Sequence, residues 1–193
     1  YYLNITGKNM VYVVAVVGSH GSGKTTTIEY LISSLTTQGC AVGSIKHIHH
    51  KDFNIDTPGT NTWRHMQAGS KVTVAVAPKE IVIIKKTECE LRRLDKILGL
   101  LTNENLDYIF VEGFHRLISE RKDIPKIITA KNLEDLNETL ERTSSHVFAV
   151  SGLIAQKSSK VDGVSLPVIQ LPDDGDKLLR MLKDFFSKQS NNQ

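Results

Sequence analysis

Residues 18–25 read Gly18-Ser19-His20-Gly21-Ser22-Gly23-Lys24-Thr25, the spacing G-x-x-x-x-G-K-T. They follow the apolar run Val11-Tyr12-Val13-Val14-Ala15-Val16-Val17 and precede a stretch with apolar residues at helical spacing (Ile28, Leu31, Ile32, Leu35). A buried strand, a glycine-rich turn and a helix start in that order constrain the chain strongly. The turn curls its backbone N–H groups around an anion, and the helix adds the positive end of its dipole. Lys24 is then placed to reach the β- and γ-phosphates of a nucleoside triphosphate, and the Thr25 hydroxyl to ligate Mg²⁺.

The rest of the pattern alternates short β-branched runs with longer helical ones. This predicts an α/β fold of three layers: a mainly parallel sheet with helices on both faces. Strands are expected over 10–17, 41–48, 108–111, 126–130 and 147–150, and helices over 24–37, 88–102, 133–142 and 173–188. Thr62 is read as the cap of a short helix ending near Gly69. Residues 72–77 and 81–84, joined at Pro78-Lys79-Glu80, are read as an antiparallel hairpin at the edge of the sheet. A single nucleotide-binding domain over 10–188 is expected. Residues 1–9 are read as an added or unordered lead with Met10 as the natural start, and 189–193 as a polar tail.

Composition narrows the class. Of 193 residues, 40% are hydrophobic and 23% charged, as in globular proteins rather than disordered ones. The net charge of +3 suits an anionic ligand, but no stripe of Lys and Arg interleaved with aromatics points to nucleic acid. No apolar stretch is long enough for a membrane span. Cys40 and Cys89 lack paired spacing, so a reducing, cytoplasmic setting is expected.

A phosphate loop needs an acid at the end of a neighbouring strand to hold Mg²⁺. Glu112, after the apolar run Tyr108-Ile109-Phe110-Val111, is favoured. It would act on the metal through a water or orient an attacking water. Asp56 in Asp56-Thr57-Pro58-Gly59 is the second candidate, read as a loop residue because the residues before it are too polar for a buried strand. The run Lys46-His47-Ile48-His49-His50 places His47 and His49 on one face of an extended strand. They can bind a metal or hydrogen-bond to phosphate, and the anion role is preferred because Lys46, Lys51 and Arg64 add positive charge. Lys131-Asn132-Leu133-Glu134-Asp135 is read first as a helix start capped by Asn132, and second as a base reader with Lys131 stacking and Asp135 pairing. These residues leave ATP against GTP open.

Taken together, G-S-H-G-S-G-K-T-T, V-G-S-I-K-H-I-H-H, D-T-P-G-T-N-T-W-R-H-M-Q-A-G-S, L-D-Y-I-F-V-E-G-F and P-K-I resemble the molybdopterin-guanine dinucleotide biosynthesis protein B (MobB) family over about residues 10–130. The resemblance implies a P-loop α/β fold that binds GTP with Mg²⁺, hydrolyses it weakly and forms homodimers. It also implies an adaptor role beside the guanylyltransferase that joins GMP to molybdopterin, with molybdopterin-dependent enzymes as further partners. Carried over, it implies phosphate binding by Gly18, Ser19, His20, Gly21, Ser22, Gly23, Lys24, Thr25 and Thr26, and Mg²⁺, catalytic or switch roles for Asp56 and Glu112. It also implies a functional loop of Lys46, His47, His49 and His50. The chain departs at Asn61, where an acid is expected, and in the basic loop after Gly113 (His115, Arg116, Arg121, Lys122), where partner contacts are expected to differ. Ser19 stands where dimerising partition and arsenite ATPases carry a lysine. The rival readings are a metal-delivery GTPase using His47, His49 and His50, a small-molecule kinase, and a structural partner with a vestigial nucleotide site.

Overall fold

The structure is a computed structural model that describes residues 11–50, 52–86, 93–144, 146–156 and 161–190. The lead at 1–9, Lys51, Cys89 and the last three residues of the tail lie outside these. The chain divides into two compact units, one from residues 1–47 with 93–193 and one from residues 48–92.

In chain order the elements are β1 (Tyr12–Gly18), α1 (Lys24–Thr37), β2 (Val42–Lys46), α2 (Asn61–Gln67), β3 (Val72–Ala77) and β4 (Glu80–Lys85). There follow α3 (Leu94–Leu98), β5 (Tyr108–Glu112), α4 (His115–Ile118), β6 (Lys126–Thr129), α5 (Leu133–Glu141), β7 (Val147–Ser151) and α6 (Gly175–Ser190). The large unit carries a five-stranded sheet in the order β2-β5-β1-β6-β7. All its pairings are parallel. β1 lies at its centre and is buried on both faces, which is why it reads as an unbroken apolar run rather than an alternating one.

Alternate residues of the central strands feed two cores. Val13, Ala15, Val17, Ile109, Val111 and Ile128 pack with Leu94, Leu98, Ile118 and Leu136. Val14, Val16, Phe110 and Ile127 pack with Ile28, Leu31 and Leu35 of α1 and with Leu178, Leu182 and Phe186 of α6. The period of two along each strand thus builds the three layers expected. Each fully buried aliphatic side chain contributes about 2 kcal/mol to holding them.

The hairpin is present but forms a sheet of its own in the small unit, β3 against β4, with Val74 opposite Ile83 and Val76 opposite Ile81. α2 is capped by Thr60, whose hydroxyl accepts from Trp63 N, and not by Thr62. The Thr62 hydroxyl instead donates to Asp56. The helix expected over 88–102 is α3 followed by a 3₁₀ turn to Leu101, and residues 88–92 lie outside the described part. The final helix runs to Ser190, so the first part of the expected tail is helical. Among the described residues no helix is long and apolar enough to cross a membrane.

Lys126 in β6 is fully buried, its ammonium donating to the carbonyls of Arg121 and Ile124. Burial lowers its pKa from 10.5 to about 8. Above pH 8 the folded chain releases this proton while the unfolded chain keeps it up to 10.5, so stability rises as pH climbs through that window. Tyr108 opposes the trend only above pH 10, since burial raises its pKa to about 12. Denaturant unfolding is expected to show about 2 kcal/mol more stability at pH 9.5 than at pH 8. Lys126→Met should remove most of that difference; an unchanged slope in the variant would exclude Lys126 as its source.

Candidate functional site

The loop between β1 and α1 is built by long-range packing as well as by its glycines. A Cβ on Gly18 would lie 2.1 Å from the Thr129 carbonyl oxygen, so a side chain there is excluded by β6. Ser22 is buried, its hydroxyl bonded to the Ser19 carbonyl at 2.9 Å and to the Thr129 hydroxyl at 2.7 Å. The Ser22 carbonyl accepts from Leu153 N at 3.2 Å. A Cβ on Gly152, whose φ is +89°, would lie 2.1 Å from that same carbonyl. The Ser19 hydroxyl donates to Asp135 at 2.8 Å, and Asp135 also accepts from Lys131 N at 2.8 Å. The curl of the loop is therefore held from three sides, by β6, by the turn after β7 and by the start of α5.

α1 begins at this loop with Gly23 as its N-cap and no side-chain cap. Its first-turn N–H groups keep their donor capacity and the positive end of the dipole, a ready anion site. Lys24 donates to the carbonyls of Gly18 (3.0 Å) and Ser19 (2.5 Å). Partial burial lowers its pKa, and the Glu112 carboxylate pulls the other way.

Glu112 ends β5 and sits in register between Val16 of β1 and Lys46 of β2. It is 9% exposed. The Thr25 hydroxyl lies 3.2 Å from each of its carboxylate oxygens, and Lys46 pairs with it at 2.7 Å. Two residues named from the sequence as Mg²⁺ ligands, Thr25 and Glu112, are thus brought together. Their hydroxyl and carboxylate oxygens fit a hard divalent cation that takes its remaining ligands from phosphate and water.

The histidine run is not a strand. β2 ends at Lys46, and His47 donates its N–H to the Glu112 carbonyl at 2.9 Å as the chain leaves the sheet. The shared strand face of His47 and His49 therefore does not exist; β2 is an edge strand and loses its partner where β5 ends. His47 instead stacks on Phe114, with ring centroids 4.3 Å apart. His49 and His50 are exposed and belong to the small unit, as does Asp56. Asp56 organises its own loop: one oxygen accepts from Thr57 N (2.9 Å), the Thr60 hydroxyl (2.9 Å) and the Thr62 hydroxyl (3.1 Å). Asn61 is the first residue of α2. Among the described residues no group of three His, Cys, Asp or Glu is placed to hold a metal.

Asn132 caps α5, accepting from Asp135 N at 2.9 Å, as the first of its two readings had it. Asp135 is committed to Ser19 and Lys131 N, so its carboxylate serves the loop. Of the basic residues after Gly113, two are engaged internally. His115 bonds the Thr143 hydroxyl at 2.8 Å, with its pKa lowered by burial. Arg121 forks onto Asp123 and reaches Asp95. The sequence reading missed Thr129, Gly152 and the Ser19–Asp135 link. Only Ser151-Gly152, a turn signal at a strand end, carried a local trace of them.

A family model described as molybdopterin guanine dinucleotide synthesis protein B matches residues 13–152. The chain is 27% identical over 177 residues to a molybdopterin-guanine dinucleotide biosynthesis adapter protein of Haemophilus influenzae, covering 92% of this chain and 93% of that one. It is 31% identical over 125 residues to the adapter protein of the same description from Escherichia coli, covering 64% and 68%. Among solved structures, Bacillus subtilis MobB superposes with a TM-score of 0.66 at 25% identity, covering 88% of this chain and 97% of that one. A MobB homolog from Bacillus stearothermophilus gives 0.64 at 23% identity, covering 89% and 98%, a likeness of fold.

Proposed function

The chain belongs to the molybdopterin guanine dinucleotide synthesis protein B family, and on that footing we propose that it is an adapter in molybdopterin guanine dinucleotide biosynthesis that binds GTP with Mg²⁺ and hydrolyses it weakly. The observation that carries the nucleotide reading is the uncapped start of α1 behind a curled glycine loop, with Lys24 at its first position and the Thr25–Glu112 pair beside it. In this reading the loop amides of residues 18–26 and Lys24 bind the phosphate oxygens. Thr25 would ligate the metal, and Glu112 would act on it through a water or orient the attacking water. A Mg²⁺ ion bound there would supply positive charge to the phosphate oxygens. Asp56, Lys46, His47, His49 and His50 enter as a switch or partner segment through the family resemblance. The preference for GTP has the same source. The metal-delivery alternative has no three-ligand group behind it among the described residues.

The test is calorimetric titration with GTP, ATP and GDP, each with and without Mg²⁺. GTP with Mg²⁺ is expected to bind tightest; equal or tighter ATP binding would overturn the guanine assignment. Glu112→Gln is expected to keep GTP affinity within about threefold while slowing hydrolysis roughly 100-fold or more, the range of a lost general acid–base group. Unchanged hydrolysis would remove Glu112 from the mechanism.

We also propose a homodimer whose contact includes the apolar face of the hairpin. Val74, Val76, Ile81 and Ile83 share one face of β3–β4 and are all exposed. Neighbouring exposed apolar residues of this kind mark an interaction surface. Val76→Lys with Ile81→Lys is expected to convert a dimer to a monomer in light scattering after size exclusion. A dimer unaffected by the pair would place the contact elsewhere.

A further inference from the structure

Two lysines serve the phosphate site and they face different groups. Lys24 donates into the carbonyls of its own loop. Lys46, from β2, lies 2.7 Å from Glu112 and 3.4 Å from the Thr25 hydroxyl, which itself lies 3.2 Å from both Glu112 oxygens. Ammonium, hydroxyl and carboxylate close a triangle at the C-terminal ends of β2 and β5, the edge of a parallel sheet where ligands bind. The sheet itself builds the contact, because Lys46 and Glu112 are register partners and register partners send their side chains to the same face.

The oxygens gripped by that ammonium are the donors a P-loop Mg²⁺ needs, the hydroxyl of the loop Thr and the strand-end acid. The two cations cannot share them. Mg²⁺ takes oxygens at about 2.0–2.1 Å in strict octahedral geometry, and an ammonium as close as Lys46 repels it. The partners also differ in freedom: the Lys46 side chain is 54% exposed on a flexible stem, whereas the Glu112 side chain is 12% exposed and fixed by the strand. Lys46 is therefore the member that moves.

We propose that Lys46 is a tethered stand-in for the divalent cation, neutralising Glu112 and competing with Mg²⁺ for Glu112 and Thr25, so that metal entry sets the Lys46 ammonium free. The proposal deepens the nucleotide reading above and rests on it for the role of the metal. It makes Lys46 a residue that sets how much Mg²⁺ the site requires.

Mn²⁺, which substitutes for Mg²⁺ and has an electron paramagnetic resonance signal when free, is titrated into the full chain with no nucleotide added. Lys46→Met, which keeps the stem and removes the charge, is expected to bind Mn²⁺ about tenfold tighter than the unaltered protein. The gain should vanish in the double variant Lys46→Met with Glu112→Gln. Lys131→Met removes an exposed cation that also acts on Lys24, and should stay within about twofold. In a second arm, the Mg²⁺ concentration for half-maximal GTP binding should fall in Lys46→Met. A Mn²⁺ affinity of Lys46→Met within twofold of the unaltered protein, or an equal gain in Lys131→Met, overturns the proposal. If Lys46→Met melts at a lower temperature, Lys46→Gln repeats the Mn²⁺ titration. GTP failing to bind the unaltered protein overturns the nucleotide reading instead, and the Mn²⁺ arm still decides on Lys46.

Discussion

Lys24→Ala is expected to weaken GTP binding by at least about 100-fold while leaving the fold intact. Each charge-assisted hydrogen bond to a phosphate oxygen is worth roughly 1.5–3 kcal/mol, and the ammonium is placed to make more than one. Its loss also leaves the phosphate charge against a partly desolvated loop, where an uncompensated charge is more costly than in water. The protein itself should tolerate the change. The Lys24 bonds to the Gly18 and Ser19 carbonyls are to half-buried groups, and the loop stays tied through Ser22–Thr129 and Ser19–Asp135. Calorimetry gives the affinity and thermal melting the fold. A GTP affinity within about threefold of the unaltered protein, with melting unchanged, would refute the phosphate site.

Gly152→Ala is expected to do the reverse: it damages the site by damaging the fold. Gly152 adopts φ +89°, and its added Cβ would lie 2.1 Å from the Ser22 carbonyl, 3.0 Å from the Thr129 Cβ and 3.1 Å from the Ala130 nitrogen. The first and last of these are backbone atoms and cannot rotate away. The left-handed conformation alone costs a non-glycine residue about 1–2 kcal/mol. Relieving the overlap must then push the phosphate loop off β6 or break the Leu153–Ser22 bond. A stability loss of about 3 kcal/mol or more is expected, with a roughly tenfold or greater loss of GTP affinity. Gly152 lies far from Lys24 in sequence, so no reading of the loop alone would pick it. Melting within 2 °C of the unaltered protein, with full affinity, would show that the turn after β7 does not hold the loop.

These two positions mark what was legible in advance. The place of Lys24 at the start of α1 is readable because its whole argument is local: seven apolar residues, three glycines that permit the curl and a helix start lie within about 20 residues. The place of Glu112 at a strand end is readable for the same reason, since it closes the apolar run of β5, buried along its length. The strand expected over 41–48 stops at Lys46, because its pairing depends on how far β5 continues alongside, so His47 and Ile48 are not in it. Spacing alone points to Thr62 as the cap, but its hydroxyl donates to Asp56, and Thr60 accepts from Trp63 N. The hairpin was recognised from its turn, but nothing local says which sheet it joins.

The amino-acid sequence by itself determined the strand–loop–helix of β1 and α1, the α/β layering and the family, because hydrophobic period, glycine placement and capping act over one or two turns of chain. Tertiary structure alone decided that Lys46 meets Glu112 across 66 residues and Ser19 meets Asp135 across 116. It alone decided, too, that Gly152 abuts Ser22. Such contacts are fixed by strand order and register, which arise when buried strands settle their pairing against one another, and no single segment carries that information.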